Sequence, residues 1–277
     1  MVCAIVVTFN PDQTLLISQF RSLVQQVDSI VYIDNASEKE VIFPDCEKVL
    51  VIHNKKNMGL GYAQNQGFKY AQSQNCDYVL LLDQDSELEC EMVASMVSEL
   101  KELQSQGVCV GTICPIKESA YDGSICQEIV SLSFNIKKKG ITKLTEVAYS
   151  IASGMLIPIS VIKKMGGMNE IFFIDGLDLE WSCRVIYNGF KIYVTPSAKL
   201  FHRLGNGKKD RIESHSSKRE YYIVRNDIYL SRLQHIPLGY RIRKKLTPFI
   251  RLGISLLHLR IEYVHSELKG IKDGYCL

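Results

Sequence analysis

The chain predicts an α/β fold built on an open, mostly parallel sheet. Three observations carry this. Short apolar strand patterns alternate with longer helical patterns through the first half. Connections of helix length join successive strands, as parallel pairing requires. The chemistry-bearing residues Thr8, Asn10, Asp34, Asn35, Asp83 and Asp85 all fall where strands end, and ligands of such sheets sit outside the carboxyl ends of the strands.

In order, Val2–Thr8 reads as a buried strand. Asp12–Val27 carries helical apolar spacing at Leu15, Leu16, Phe20, Leu23, Val24 and Val27. Ser29–Ile33 and Val49–Ile52 read as strands, Leu60–Ser73 as a helix and Asp77–Leu82 as a strand. Glu89–Gln106 is a long amphipathic helix, followed by a strand over Val108–Cys114. From Pro115 to Val147 the pattern is mixed and includes the basic run Lys137–Lys139. A second compact region is expected from Ala148 to about Arg203, with a strand-like piece over Lys191–Val194. The remainder, from about Glu213, reads as helical.

The bulk properties are those of a globular protein. There are 277 residues, 46% hydrophobic and 23% charged, which exclude a disordered chain. The length suits one large domain or one domain with an appendage. The expected division is residues 1–210, with halves of about 1–115 and 116–210, and an extension over 211–277. Nine cysteines occur without a CxxC pair. Free thiols in a reducing cytoplasm are expected rather than a disulfide framework or a zinc cluster. No signal peptide and no transmembrane helix are expected. Net charge is +3, but residues 207–277 hold 15 Lys and Arg against 7 Asp and Glu, whereas the first 206 hold 18 against 23. A basic tail of this kind points to an anionic partner.

The most informative run is Tyr78-Val79-Leu80-Leu81-Leu82-Asp83-Gln84-Asp85-Ser86. An apolar strand stops at two carboxylates one residue apart, and alternate residues of an extended chain share a face. Two like charges there call for a cation, and hard divalent ions prefer carboxylate oxygens. The competing reading is a solvated turn. Asn10-Pro11 and Asp34-Asn35 are either ligand contacts or local turns. In Asn57-Met58-Gly59-Leu60-Gly61, glycines at a loop-to-helix junction permit close backbone approach, and a helix N-terminus favours a diphosphate. Asn57 and Asn65 are alternatively caps. In Asp175-Gly176-Leu177-Asp178-Leu179-Glu180-Trp181-Ser182-Cys183-Arg184, helical spacing pairs Glu180 with Arg184 and leaves Asp178 as the freer carboxylate, either a candidate base or a cap at the start of the helix. His202 is either a packed residue or a metal or phosphate contact.

Taken in order, VVTFNP, IDNAS, NMGLGYAQNQG, LLLDQDS, ASGMLIP, FFIDGLDLEWSCR, LFHRLG and YYIVRN resemble the catalytic domain of glycosyltransferase family 2. They span Val6 to Asn226. DQDS, IDGLDLEW and YYIVRN look most like the bacterial rhamnosyltransferase branch. The resemblance implies a GT-A nucleotide-diphospho-sugar transferase fold with a helical C-terminal tail, and an inverting enzyme using Mg²⁺ or Mn²⁺. It implies that Thr8, Asn10 and Asp34 line the nucleoside pocket and that Asn57, Gly59 and Asn65 border the donor. Asp83 would contact ribose or sugar and share the metal with Asp85 and His202, and Arg225 would steady the leaving diphosphate. Ser153, Gly154 and Trp181 fall on the acceptor side, and Asp178 takes the position of the base. Leu177 stands where many members carry Glu, so the acceptor contact of that Glu is absent here.

The donor implied is dTDP-rhamnose, with a UDP-linked hexose or N-acetylhexosamine as the alternative. The acceptor implied is a glycan or lipid-linked glycan of a surface polysaccharide. A non-catalytic nucleotide-sugar-binding or scaffolding subunit is the reading of another class. Arg241–Lys245 precede an apolar run over Pro248–Ile261, which suits either the inner face of the plasma membrane or packing onto the catalytic domain or a second copy in a homo-oligomer. No nucleic-acid motif accompanies the charge, so no nucleic-acid partner is expected.

Overall fold

Apolar runs long enough to be buried on both faces build the centre of the molecule. The computed structural model describes residues 1–202 and 216–277. The Arg203–Gly205 end of the LFHRLG motif and the expected boundary at 210/211 lie outside the described residues. The first crossover units are β1 (Val2–Thr8), α1 (Gln13–Leu23), β2 (Ser29–Asp34), β3 (Val49–His53), α2 (Leu60–Ser73) and β4 (Tyr78–Asp83). Then come β5 (Glu87–Leu88), α3 (Met92–Ser105), β6 (Val110–Ser119), β7 (Glu128–Ser131), β8 (Lys137–Lys139), β9 (Thr145–Val147) and β10 (Leu156–Pro158). The chain continues through α4 (Ile159–Met165), α5 (Leu177–Tyr187), β11 (Lys191–His202), α6 (Ser217–Leu230), α7 (Leu238–Leu257) and α8 (Ile261–Cys276).

The main sheet runs β3-β2-β1-β4-β10-β6-β11-β5, with β9 on β11. The four strands β3, β2, β1 and β4 are parallel. β10 is antiparallel to both β4 and β6, so the sheet is mixed, as expected. Alternation of side chains sorts the core into two layers. Cys3, Ile5, Val31, Ile33, Val79 and Leu81 face α2 and α5. Val2, Ala4, Val6, Ile30, Tyr32, Leu80 and Leu82 face α1 and α3.

Two differences from the sequence reading have clear causes. The strand expected over Val108–Cys114 extends to Ser119, because Lys117, which breaks the apolar pattern, is buried against Glu128 (3.2 Å) and Ser150 (2.7 Å). The piece expected over Lys191–Val194 continues to His202 through an irregularity between Thr195 and Lys199, where Pro196 and Ser197 interrupt the ladder. That extension carries His202 beside the tip of β4.

Candidate active site

Register alone gathers the acids. Thr8 pairs with Asp34 across β1 and β2, and Val7 with Asp83 across β1 and β4, so three polar strand ends lie side by side. The tip of β4 is fixed by neutral groups. The Gln19 amide of α1, fully buried, donates to the Asp83 carbonyl. Gln84 clasps the Phe9 backbone, accepting from its N–H at 2.9 Å. The middle residue of the Asp-Gln-Asp run therefore stitches two strand tips together. Gly154, at φ +88°, donates its N–H to Leu81 O at 2.7 Å and lies so close to Pro115 that a Cβ would come within 2.8 Å of it.

Asp83, Asp85 and His202 each offer a ligand atom within 4.8 Å of the others. His202 Nε2 is 3.7 Å from Asp83 Oδ2. Behind them runs a chain of buried hydroxyls. The Asp83 N–H donates to Ser153 Oγ (3.1 Å), Ser153 Oγ lies 2.9 Å from Ser86 Oγ, and Ser86 Oγ lies 2.9 Å from His202 Nδ1. When Nδ1 carries the proton and donates to Ser86, Nε2 presents its lone pair toward the two aspartates. These donors suit a hard divalent cation.

The electrostatics agree. Burial, then the neighbouring Asp85 and Asp178, push the Asp83 carboxyl up to about 7, although the buried Lys117 ammonium opposes them. Burial holds His202 below its usual range, against the pull of Asp85. A divalent ion would relieve the carboxylate crowding.

Asp178 stands in the first turn of α5. Tyr149 Oη donates to its Oδ2 at 3.0 Å, and the Leu179 N–H donates to Oδ1 at 2.9 Å. Burial raises the carboxyl above the ordinary range, and these two donors act in the opposite sense. Its neighbour Glu180 is buried and spent on structure. Arg184 Nε and Nη2 donate to it at 2.8 and 3.0 Å, and His235 Nε2 approaches to 2.9 Å. Asp178, which accepts from neutral donors only, is thus the freer carboxylate of the two.

The other expected site residues divide. Thr8 is fully buried, with Oγ1 unpartnered. Asp34 accepts from Ser37 Oγ (2.5 Å) and lies 3.5 Å from His53 Nδ1. Asn10 latches the adjacent turn, with its N–H on Ser37 Oγ and its Oδ1 accepting from the Glu38 N–H. Asn57 Oδ1 accepts from Asn35 Nδ2 and the Gly59 N–H.

At Gly59 the close backbone approach is to the protein itself. A Cβ there would lie 2.8 Å from Phe173 O, and that carbonyl accepts the Leu60 N–H. The start of α2 is a packing junction rather than an open diphosphate cradle. Asn65 spends its amide on Met168 and Glu170. The Arg225 guanidinium donates to Ile171 O and Asn226 Oδ1 and covers the Tyr222 ring at 5.0 Å. Trp181, expected on the acceptor side, is fully buried and packs on Phe68, because its helical position faces the sheet. Ser86, Tyr149, Lys117 and Gln19 are the site neighbours that the sequence did not single out.

The profile of glycosyl transferase family 2 matches residues 3–166. The dTDP-rhamnosyl transferase RfbF of Shigella flexneri is 28% identical over 98% of this chain and 94% of its own length. Two solved structures share the fold. GalNAc-T7, with UDP, GalNAc and Mn²⁺, is 17% identical over 84% of this chain, with a TM-score of 0.62. The S. aureus TarS fragment 1–349 in complex with UDP-GlcNAc is 14% identical over 98% of this chain and 81% of its own, with a TM-score of 0.60. The chain spans half the length of the GalNAc-T7 chain. The protein belongs to glycosyl transferase family 2 and has its GT-A architecture.

Proposed function

We propose that this family 2 glycosyltransferase is a metal-dependent, inverting rhamnosyltransferase, taking L-rhamnose from dTDP-rhamnose to a hydroxyl of a surface-polysaccharide acceptor. The donor rests on the likeness to the Shigella flexneri dTDP-rhamnosyl transferase. The chemistry rests on one observation: Asp83, Asp85 and His202 bring ligand atoms within 4.8 Å of one another at the end of β4, while Tyr149 holds Asp178 at the start of α5.

Asp83, Asp85 and His202 would hold Mg²⁺ or Mn²⁺, which supplies positive charge against the departing diphosphate. Thr8 and Asp34 would receive the nucleoside at the neighbouring strand tips. Asp178 accepts the proton of the acceptor hydroxyl. The oxygen then attacks the anomeric carbon as the bond to the diphosphate oxygen breaks, and the nucleoside diphosphate leaves with the bonding pair. A single displacement inverts configuration. A retaining path would need a carboxylate nucleophile on the opposite face, whereas Asp83 and Asp85 are assigned to the cation. In this reading residues 1–210 are the catalytic unit, 211–277 form its extension, and the free thiols suit action in the cytoplasm.

The test is donor binding and turnover by purified wild type and Asp178→Asn. Wild type binds dTDP-rhamnose in preference to UDP-glucose or UDP-N-acetylglucosamine with Mn²⁺, and loses it with chelator. D178N keeps donor affinity and loses transfer by about 10²–10⁴-fold, the usual worth of a general base. Unchanged turnover in D178N overturns the base assignment. Preference for a UDP-sugar overturns the donor, and metal-indifferent affinity overturns the metal role.

A further inference from the structure

Helix α7 carries an apolar face that the described residues leave uncovered. Its inward side buries Tyr240 and Pro248 and is otherwise polar and paired. Lys244 Nζ donates to Asp227 Oδ1 (2.5 Å), Arg251 Nη1 to Glu220 Oε1 (2.7 Å), and Ser255 Oγ to Glu267 Oε1 (2.9 Å). Its outward side is apolar. Leu238, Ile242, Leu246, Phe249, Ile250 and Leu257 are all exposed, and at about 100° per residue they share an arc of roughly 120°. A helix bathed in water carries charged residues on that face.

The stripe continues around the corner into α8. Leu257 and Leu259 are 84% and 83% exposed, and Ile261 follows them outward. Leu259 sits there at φ +52°, a left-handed conformation that disfavours a branched side chain. The corner therefore presents leucine at a position where glycine or asparagine would relieve the backbone.

Charge decides what covers this face. No Asp or Glu lies between Asp227 and Glu262, while Leu238–Ile261 carry Arg241, Arg243, Lys244, Lys245, Arg251 and Arg260. The inward Lys244 and Arg251 have carboxylates. Arg243 and Lys245 flank the apolar arc on its two sides, and neither meets a carboxylate among the described residues. Arg243 donates to the Phe134 carbonyl at 3.1 Å. Two copies meeting through this face would set like charges against each other with no acid between them. A surface of anionic headgroups complements the same pattern, with apolar side chains sinking to acyl depth and cations at phosphate level. No helix among the described residues is long and apolar enough to cross a membrane, so α7 would lie in the interface plane.

We propose that the outward face of α7, with the Leu257–Ile261 corner, docks the protein on an anionic lipid bilayer. This stands independently of the donor and metal assignments.

The test is co-sedimentation of the full chain with vesicles of phosphatidylcholine alone and of phosphatidylcholine mixed with phosphatidylglycerol. The variants are Ile250→Glu with Leu257→Glu, and Arg243→Glu with Lys245→Glu. All four positions are exposed, and melting curves check folding. Wild type partitions onto the anionic vesicles and not onto phosphatidylcholine. Each double variant lowers the partition coefficient by about tenfold or more, while donor binding is unchanged. Failure of wild type to bind anionic vesicles overturns the proposal, as does equal binding by folded variants. A wild-type dimer in light scattering that I250E/L257E dissociates, without any lipid binding, assigns the face to a second copy instead. Loss of donor binding by D178N or wild type bears only on the transferase reading.

Discussion

Replacing Tyr149 by Phe removes one atom and tests how the proposed base, Asp178, is tuned. Tyr149 Oη lies 3.0 Å from Asp178 Oδ2, and the Leu179 N–H occupies Oδ1. Burial and the charge of Asp178 hold the Tyr149 phenol well above its ordinary range, so it stays a donor at every working pH. A hydrogen bond to a charged acceptor is worth about 1.5–3 kcal/mol. At 1.36 kcal/mol per pH unit, its loss lifts the Asp178 pKa by about one to two units. The base works deprotonated, so activity falls as pH drops through that value. In Y149F the acid limb of kcat/KM moves upward by about one to two pH units. Below both limbs the variant is slower by roughly 10- to 100-fold, and well above both the two proteins converge. The assay is release of nucleoside diphosphate from dTDP-rhamnose across the pH range. A limb that stays in place, or moves down, refutes the tuning. A loss equal at all pH values would mean that Tyr149 contacts substrate instead.

Two further outcomes follow from the metal corner. With Asp83 at about 7, a cation must displace its proton in acid solution. Mn²⁺ affinity, measured by calorimetry, falls about tenfold for each pH unit below 7 and levels off above it; equal affinity at pH 6 and pH 8 would sink this. Replacing Ser86 by Ala frees His202 Nδ1 from its partner and lowers Mn²⁺ affinity by about 10- to 100-fold, while chelator-treated protein melts as a cooperative fold; undiminished affinity would mean that Ser86 does not orient the ring.

The parts that were legible in the sequence are those whose cause is local. An apolar strand ending at Asp83 announces both its burial and its polar tip, but Asp85 lies in the turn after β4 and meets Asp83 and His202 through that turn rather than through the alternation of an extended strand. Glu180 and Arg184 pair as their helical spacing requires. The parts that were hidden depend on contacts between distant segments. Ser86 is an unremarked serine until β11 brings His202 to it across 116 residues. Tyr149 gains its role only when the chain before β10 meets the start of α5. Gly59 reads as a ligand-facing glycine, yet the backbone it admits is Phe173. The strand expected to end at Cys114 runs on through Lys117, whose burial against Glu128 lets β6 continue. The periodicity of α7 fixes that one side is apolar but not which side meets the protein. Only the positions of Asp227, Glu220 and Glu267 turn the charged side inward.

The same contacts explain why the acids at the tip of β4 are held by neutral groups. In the proposed chemistry Asp83, Asp85 and Asp178 stand close, and burial, then the neighbouring Asp85 and Asp178, raises Asp83. Adding cations from the protein would quiet that repulsion, but would compete with a metal for the same oxygens. Gln19, Gln84, Ser86 and Ser153 instead fix the geometry without changing the charge. The buried Lys117 opposes the rise of Asp83 but is itself paired with Glu128 at 3.2 Å, so the pair adds no net charge to the site. A carboxylate set held in position but left under-compensated is poorly stable alone, and it gains most from a divalent ion. The features that weaken this corner as a piece of protein are therefore those that would suit it to the proposed metal and diphosphate.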